Sequence, residues 1–296
     1  MSLSLNSRGA ALMALAMAAF TCNDAIVKLL TFDLSIGQIM FMRGLLTTIL
    51  VYAIARYAGA LAPLRDMLHP MVLVRSAFEI ASTVLFLMAL NQMPLPNISA
   101  ILQSLPLAVT LGAAVFLREP VGWRRWSAIV VGFIGVLIIV RPGPEGFTGA
   151  AFLAILSVFT TAGRDLVTRK IPSHIPSLSI TVFTASTNSL VGLALIPVLG
   201  GWQPMDTMMT LQLATTAVFV FVGYQSIILS MRIGEISFVA PFRYVSLLWA
   251  LAIGYLVFSD VPEPPVLLGA AIVIASGLYT FYRERKRRRQ KVPVPQ

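Results

Sequence analysis

Apolar positions along the chain gather into ten long runs separated by short polar stretches. Their approximate bounds are 9–31, 35–58, 69–91, 95–117, 122–141, 147–170, 176–199, 206–231, 236–258 and 264–282. Each is about 17–25 residues long, the length a helix needs to cross bilayer hydrocarbon. Inside the runs the apolar residues are continuous, without the in–out alternation of a transmembrane β-barrel. The pattern predicts an all-α, polytopic membrane protein. The first run lacks a small-residue cleavage site with a mature domain behind it, so it reads as a span and not a leader.

Composition strengthens this reading. Of 296 residues, 57% are hydrophobic and 11% charged, whereas soluble domains carry about 25% charged residues. Mean hydropathy is +0.85. The net charge of +10 would suit a nucleic-acid binder, but seven of the 22 basic residues lie in "RERKRRRQKVPVPQ" at 283–296, directly after the last run. A basic cluster placed there reads as an anchor on anionic lipid, and no nucleic-acid partner is expected.

The basic residues also orient the chain. With the N-terminus in the cytoplasm, Arg8, Arg56, Arg65, Arg75, Arg118, Arg124, Arg125, Arg164, Arg169, Lys170, Arg232 and the tail fall on the inner side. Lys28 and Arg141 alone fall outside, while Arg43 and Arg243 lie within spans. That bias predicts both termini in the cytoplasm, as an even number of spans requires. Trp123, Trp126, Trp202, Tyr279 and Tyr282 fall at span ends, where amphipathic rings favour the interface. The single cysteine, Cys22, excludes an intrachain disulfide and a cysteine metal site. Neither a metal nor a cofactor is expected.

The chain repeats itself at an offset of 140–142 residues. "GAALMALA" at 9–16 falls on "GAAFLAIL" at 149–156, and "NDAIVK" at 23–28 on "RDLVTR" at 164–169. "FLREPV" at 116–121 falls on "VFSDVP" at 257–262, and "AIVVGFIGVLIIVR" at 128–141 on "AAIVIASGLYTFYR" at 270–283. Two units follow, 1–146 and 147–282, with a basic tail at 283–296. Five spans per unit is an odd number, so the second unit enters the membrane inverted. Inverted repeats of this kind place a site near mid-membrane between the two copies in many secondary transporters.

Polar residues inside the spans are the candidate chemistry. The fourth span carries Pro96, Ser99, Gln103, Pro106 and Thr110 at spacings that share one helix face. At an offset of 140, Gln103 falls on Arg243 and Pro106 on Ser246 in the ninth span. Pro106 and Pro241 each free a backbone carbonyl, which is tolerated where it borders a cavity or protein. Charge at mid-membrane costs about 2.5–3.5 kcal/mol on insertion scales and needs a partner or a role. Arg243 therefore either reaches the inner interface or an acid such as Glu79, or faces the cavity and binds a carboxylate.

The third span adds Arg75, Phe78, Glu79, Ser82 and Phe86; the first adds Phe20 and Asn23. The eighth adds Tyr224 and Gln225, and the ninth Tyr244, Ser246 and Trp249. Aromatic and amide groups together suit a small amphipathic solute. Asp24–Lys28 and Asp165–Arg169 have the acid four residues ahead of the base, the favourable order for a helical pair. They are expected to act as gating or structural pairs. The chain has no H-E-x-x-H, no aspartate-rich prenyl-diphosphate motif and no P-loop, and His69 and His174 lie at span ends, so an enzyme is not expected.

Four stretches carry a family resemblance: Asp24/Lys28 in the first span, "IGQIMFMRGLL" at 36–46, "LREPVGWRRWSAIVVGFIGVLII" at 117–139 and "GEISFVAPFRYVSLLWALAIGYLVF" at 234–258. With them the chain resembles the EamA-type members of the drug/metabolite transporter superfamily, most closely the aromatic amino-acid exporter branch. The resemblance implies a basket of helices round a cavity lined mainly by helices 1, 3, 4, 6, 8 and 9. It also implies a monomer exporting amino acids, aromatic ones and a broader range, or related metabolites across a bacterial inner membrane. Sugar-nucleotide, organic-phosphate and multidrug carriage are the alternatives within the same fold. The seventh span departs from the pattern, with Thr184 at the position matching Arg43.

Overall fold

In hydrocarbon no water can satisfy a backbone N–H or C=O, so each apolar run must close its own hydrogen bonds as a helix. The computed structural model describes residues 5–118, 122–141, 148–233 and 236–290, and within them ten helices are long and apolar enough to cross a membrane. These are α1 (Leu5–Leu30), α2 (Ile36–Tyr57), α3 (Pro70–Gln92), α4 (Leu95–Phe116), α5 (Trp123–Val140) and α6 (Gly149–Thr168), followed by α7 (Ser177–Leu195), α8 (Thr207–Ile233), α9 (Ile236–Phe258) and α10 (Pro264–Gln290). The expected spans are met to within a few residues, save that α10 continues through the first half of the basic tail. Residues 291–296 lie outside the described residues.

Local chemistry starts the helices where polar stretches end. The Ser35 side chain accepts from Gln38 N at the start of α2, and the Thr148 side chain from Ala151 N at the start of α6. Pro70 opens α3 at a position whose N–H has no helical partner, and the His69 imidazole accepts from Met71 N.

Helix α1 packs along α8, α2 along α7, α3 along α6 and α5 along α10, while α4 meets α6 and α9 and α9 meets α1. Exchanging α1–α5 with α6–α10 leaves this scheme unchanged: α1 with α8 becomes α6 with α3, and α2 with α7 maps to itself. The pairing is consistent with the inverted repeat suggested by the sequence.

Small residues bring paired helices close, as in other membrane bundles. A Cβ on Gly135 of α5 would stand 2.9 Å from the Gly269 carbonyl of α10, and one on Gly44 of α2 would stand 2.8 Å from Ser189 Cβ of α7.

Contacts between loops define two faces. On one, Ser179 Oγ donates to Ala60 O, and Ser230 Oγ at the end of α8 donates to Gly9 O at the start of α1; this is the terminal face. On the opposite face, the Gln38 side chain donates to Gln203 O and accepts from Gln203 N. The largest core lies towards that face, where Leu30, Leu87, Leu90, Leu95, Ile98 and Ile101 are all fully or almost fully buried.

Candidate functional site

Two of the spanning helices are interrupted. Pro106 supplies no N–H, and α4 breaks at Gln103–Ser104 into Leu95–Leu102 and Leu105–Phe116. In α9, Pro241 sits in a 3₁₀ segment, Ala240–Tyr244, ahead of the regular helix Val245–Phe258. Pro106 and Pro241, singled out from the sequence, both lie at these interruptions.

The two breaks face each other. Gln103 Nε2 donates to Ser246 Oγ at 2.9 Å and to Tyr244 O at 3.4 Å, and Ser246 Oγ donates to Arg243 O at 3.0 Å. From α1, Thr21 Oγ1 reaches Met17 O at 2.8 Å and Ser246 O at 3.5 Å. Interrupted helices thus present side-chain amides and hydroxyls where an unbroken apolar helix would present none.

Beside the breaks lies a cavity of about 300 Å³. Of the residues expected from sequence, Phe20, Ser82, Phe86 and Ser99 line it, as do Gln103, Arg243, Tyr244 and Ser246. So does Asp24, which had been expected to pair with Lys28. Sequence reasoning missed Thr21, Ser157, Thr161 and Phe281, also on the wall. Among the described residues the Ser157 hydroxyl is buried without a hydrogen-bond partner, and so is that of Tyr244, which lies against Gly277 on α10. Arg243 has no hydrogen-bonded or ion-paired partner for its guanidinium among the described residues; it lies within Coulombic reach of Asp165 and Arg164. A cationic fork, a carboxylate, several hydroxyls and four aromatic rings therefore share one small space.

The other expected residues lie elsewhere. Phe78 lines a separate hollow on the flank. Glu79 does not meet Arg243: its carboxylate accepts from Arg164 Nη1 at 3.0 Å, with Arg75 at 3.8 Å. Arg75 also donates to Thr184 Oγ1 at 2.8 Å, so the threonine that replaces the repeat's arginine serves as its acceptor. Tyr224 packs edge-on against Phe20, with centroids 5.3 Å apart, and is itself 44% exposed. Asn23 is buried and donates to Asp24 Oδ1. Gln225 is absent from the wall, and Trp249 is 41% exposed on the outside of the bundle.

The expected Asp24–Lys28 pair also rearranges. Lys28 turns from Asp24 to Asp260 at the end of α9, at 3.5 Å, donates to Met93 O at 3.0 Å and lies over the Phe258 ring. Three short-range partners on neighbouring segments outweigh one neighbour on its own helix. Asp165 is bound by the adjacent Arg164, at 2.8 Å. Arg164, read from sequence only as an inner-side charge, thus bridges Asp165 and Glu79. Its signal was available in "TAGRD" at 161–165, a charged pair inside an apolar run.

The profile of the EamA-like transporter family matches the chain twice, at residues 7–141 and 148–282. An S-adenosylmethionine uptake transporter of Rickettsia bellii is 25% identical over 94% of this chain and 94% of its own. A riboflavin transporter of Vibrio cholerae is 28% identical over 96% of each chain, and a pseudopaline exporter of Pseudomonas aeruginosa is 25% identical over 93% of this chain and 96% of its own. A solved crystal structure of a protein superposes with a TM-score of 0.65 over 97% of this chain and 100% of that one; at 13% identity it shares the fold.

Proposed function

The chain belongs to the EamA-like transporter family, and we propose that it exports an amino acid, aromatic or from a broader range, or a related amino-acid metabolite by alternating access. It is a multi-pass membrane transporter of small molecules, and similar proteins bear transporter and not enzyme names. In this reading units 1–146 and 147–282 enclose the site as a monomer in a bacterial inner membrane. Both ends and the basic tail 283–296 lie in the cytoplasm.

The observation that carries the reading is Arg243, an unpaired guanidinium on the wall of a cavity between the two halves. A charge held inside a membrane protein without a partner is stabilised when an anion arrives, and a guanidinium fork matches a carboxylate. Phe20, Phe86 and Phe281 supply apolar surface for a side chain. Ligand pockets generally run from about 300 to 1,000 Å³, so a space near the lower bound favours a solute of amino-acid size. S-adenosylmethionine, which one set of relatives takes up, is itself an amino-acid conjugate with a carboxylate, and Arg243 would serve it in the same way.

Uptake of labelled amino acids into proteoliposomes, with and without a pH gradient, tests the proposal. S-adenosylmethionine, riboflavin and a sugar nucleotide serve as competitors. Saturable amino-acid transport lost in Arg243→Ala supports it; transport of none of the amino acids, or transport indifferent to Arg243→Ala and Arg243→Lys, overturns it.

A further inference from the structure

The central cavity is not the largest hollow in the molecule. On the flank of the bundle, α3, α4 and α6 enclose a second one of about 640 Å³. Its walls are apolar: Phe78 from α3, Val115 and Phe116 from α4, Phe159 and Leu166 from α6. Among the described residues its one charged lining residue is Lys170, just beyond the end of α6 on the terminal face. Val115 and Phe116 are 54% and 78% exposed, so the hollow opens sideways towards lipid.

Its dimensions are informative. From Phe159 to Lys170 is eleven residues, about 16 Å at the helical rise of 1.5 Å per residue. That is close to half of the roughly 30 Å hydrocarbon thickness, or one leaflet. A zwitterionic solute would find no polar partner along such walls. A chain of methylenes would, and a negative group at its end would arrive beside Lys170. Arg118, exposed and next in sequence to the lining residue Leu117, adds a second cation at that level.

We propose that this hollow holds one acyl chain of an anionic phospholipid, with the headgroup phosphate against Lys170. Basic pockets between transmembrane helices on a positively charged face are suited to anionic headgroups, and each basic residue near the surface contributes about 1 kcal/mol, or about fivefold in affinity. The acyl chain supplies the apolar contact that a free phosphate lacks.

The full-length protein, purified in detergent, is titrated with phosphatidylglycerol, with phosphatidylcholine of the same chains, and with glycerol 3-phosphate. Binding is read by native mass spectrometry and by thermal unfolding. Phosphatidylglycerol is expected to bind at least about fivefold more tightly than phosphatidylcholine, and glycerol 3-phosphate to give no stabilisation. Lys170→Glu should abolish the preference between the two lipids, and Val115→Trp, which adds bulk at the open side, should weaken both. Equal binding of the two lipids, a preference that survives Lys170→Glu, or binding unchanged in Val115→Trp would overturn the proposal. So would stabilisation by glycerol 3-phosphate equal to that by the phospholipid, which would reduce the site to a surface phosphate contact. Lys170 is exposed, so its variant keeps the test decisive should Val115→Trp fail to fold.

Discussion

Gln103 and Ser246, 143 positions apart, share a hydrogen bond of 2.9 Å that ties the break in α4 to the break in α9. Each break lies in a different half of the chain, and the bond crosses between them at the wall of the central cavity. Gln103→Ala removes the donor while Ser246 keeps its bond to Arg243 O. The loss is expected to cost about 1 kcal/mol of stability. It should also slow transport more than it weakens solute binding, because the two halves lose their link. Thermal unfolding and the split between maximal rate and half-saturation check this.

Arg243→Ala is expected to weaken solute binding by roughly 10- to 100-fold, the weight of a hydrogen bond to a charged group at about 1.5–3 kcal/mol. Arg243→Lys should recover part of the loss, since an ammonium restores the charge without the planar fork. Expression and thermal stability should hold or rise, because an unpartnered guanidinium is removed from the interior. The readout is competition binding on the purified protein.

On the opposite face, Lys28 holds Asp260 and Met93 O together. Asp260→Asn should loosen that closure without disturbing the cavity wall. With Cys22 replaced by serine and a cysteine introduced at Ser99, thiol labelling from that face should speed up several-fold over the same background carrying Asp260. Equal labelling rates would show that Lys28 closes nothing.

The Arg164–Glu79 contact is partly accessible, with side-chain exposures of 20% and 21%, so solvent screening holds its contribution to about 1 kcal/mol or less. Glu79→Gln leaves Arg164 with Asp165. A small fall in melting temperature is expected, together with faster labelling of a cysteine placed at Thr161. A double-mutant cycle with Arg164→Gln measures the coupling.

The spans were legible because the bilayer imposes one length and one polarity on every crossing, and few soluble-protein signals compete with it. The places where α4 and α9 are interrupted carry a proline each, a residue with few other readings in an apolar helix. Pairing among charges was not legible. Lys28 could be matched with Asp24 from spacing alone, yet Asp260 stands 232 residues away and reaches it only because the end of α9 folds beside α1. Glu79 showed the same blindness: Arg164 is 85 positions away and closer than Arg75 on its own helix. Among cavity residues, Ser157 and Thr161 stand four apart in α6 and share one helix face, so their signal was present in the sequence. Trp249 was over-read because, six residues beyond Arg243, it sits about 120° round the helix axis from it and is exposed.

Gly135 and Gly269 let the backbones of α5 and α10 touch, and any side chain there would force them apart. Gly135→Val should cost about 1–3 kcal/mol through overpacking, while Gly149→Val, in the first turn of α6 with open space around it, should be close to neutral; chemical denaturation in mild detergent compares the two. Helices locked this tightly cannot slide past one another while the cavity changes sides. The α5–α10 seam is therefore the natural fixed mast of the molecule, and paired spectroscopic labels along it would give a constant distance against which every moving part could be timed.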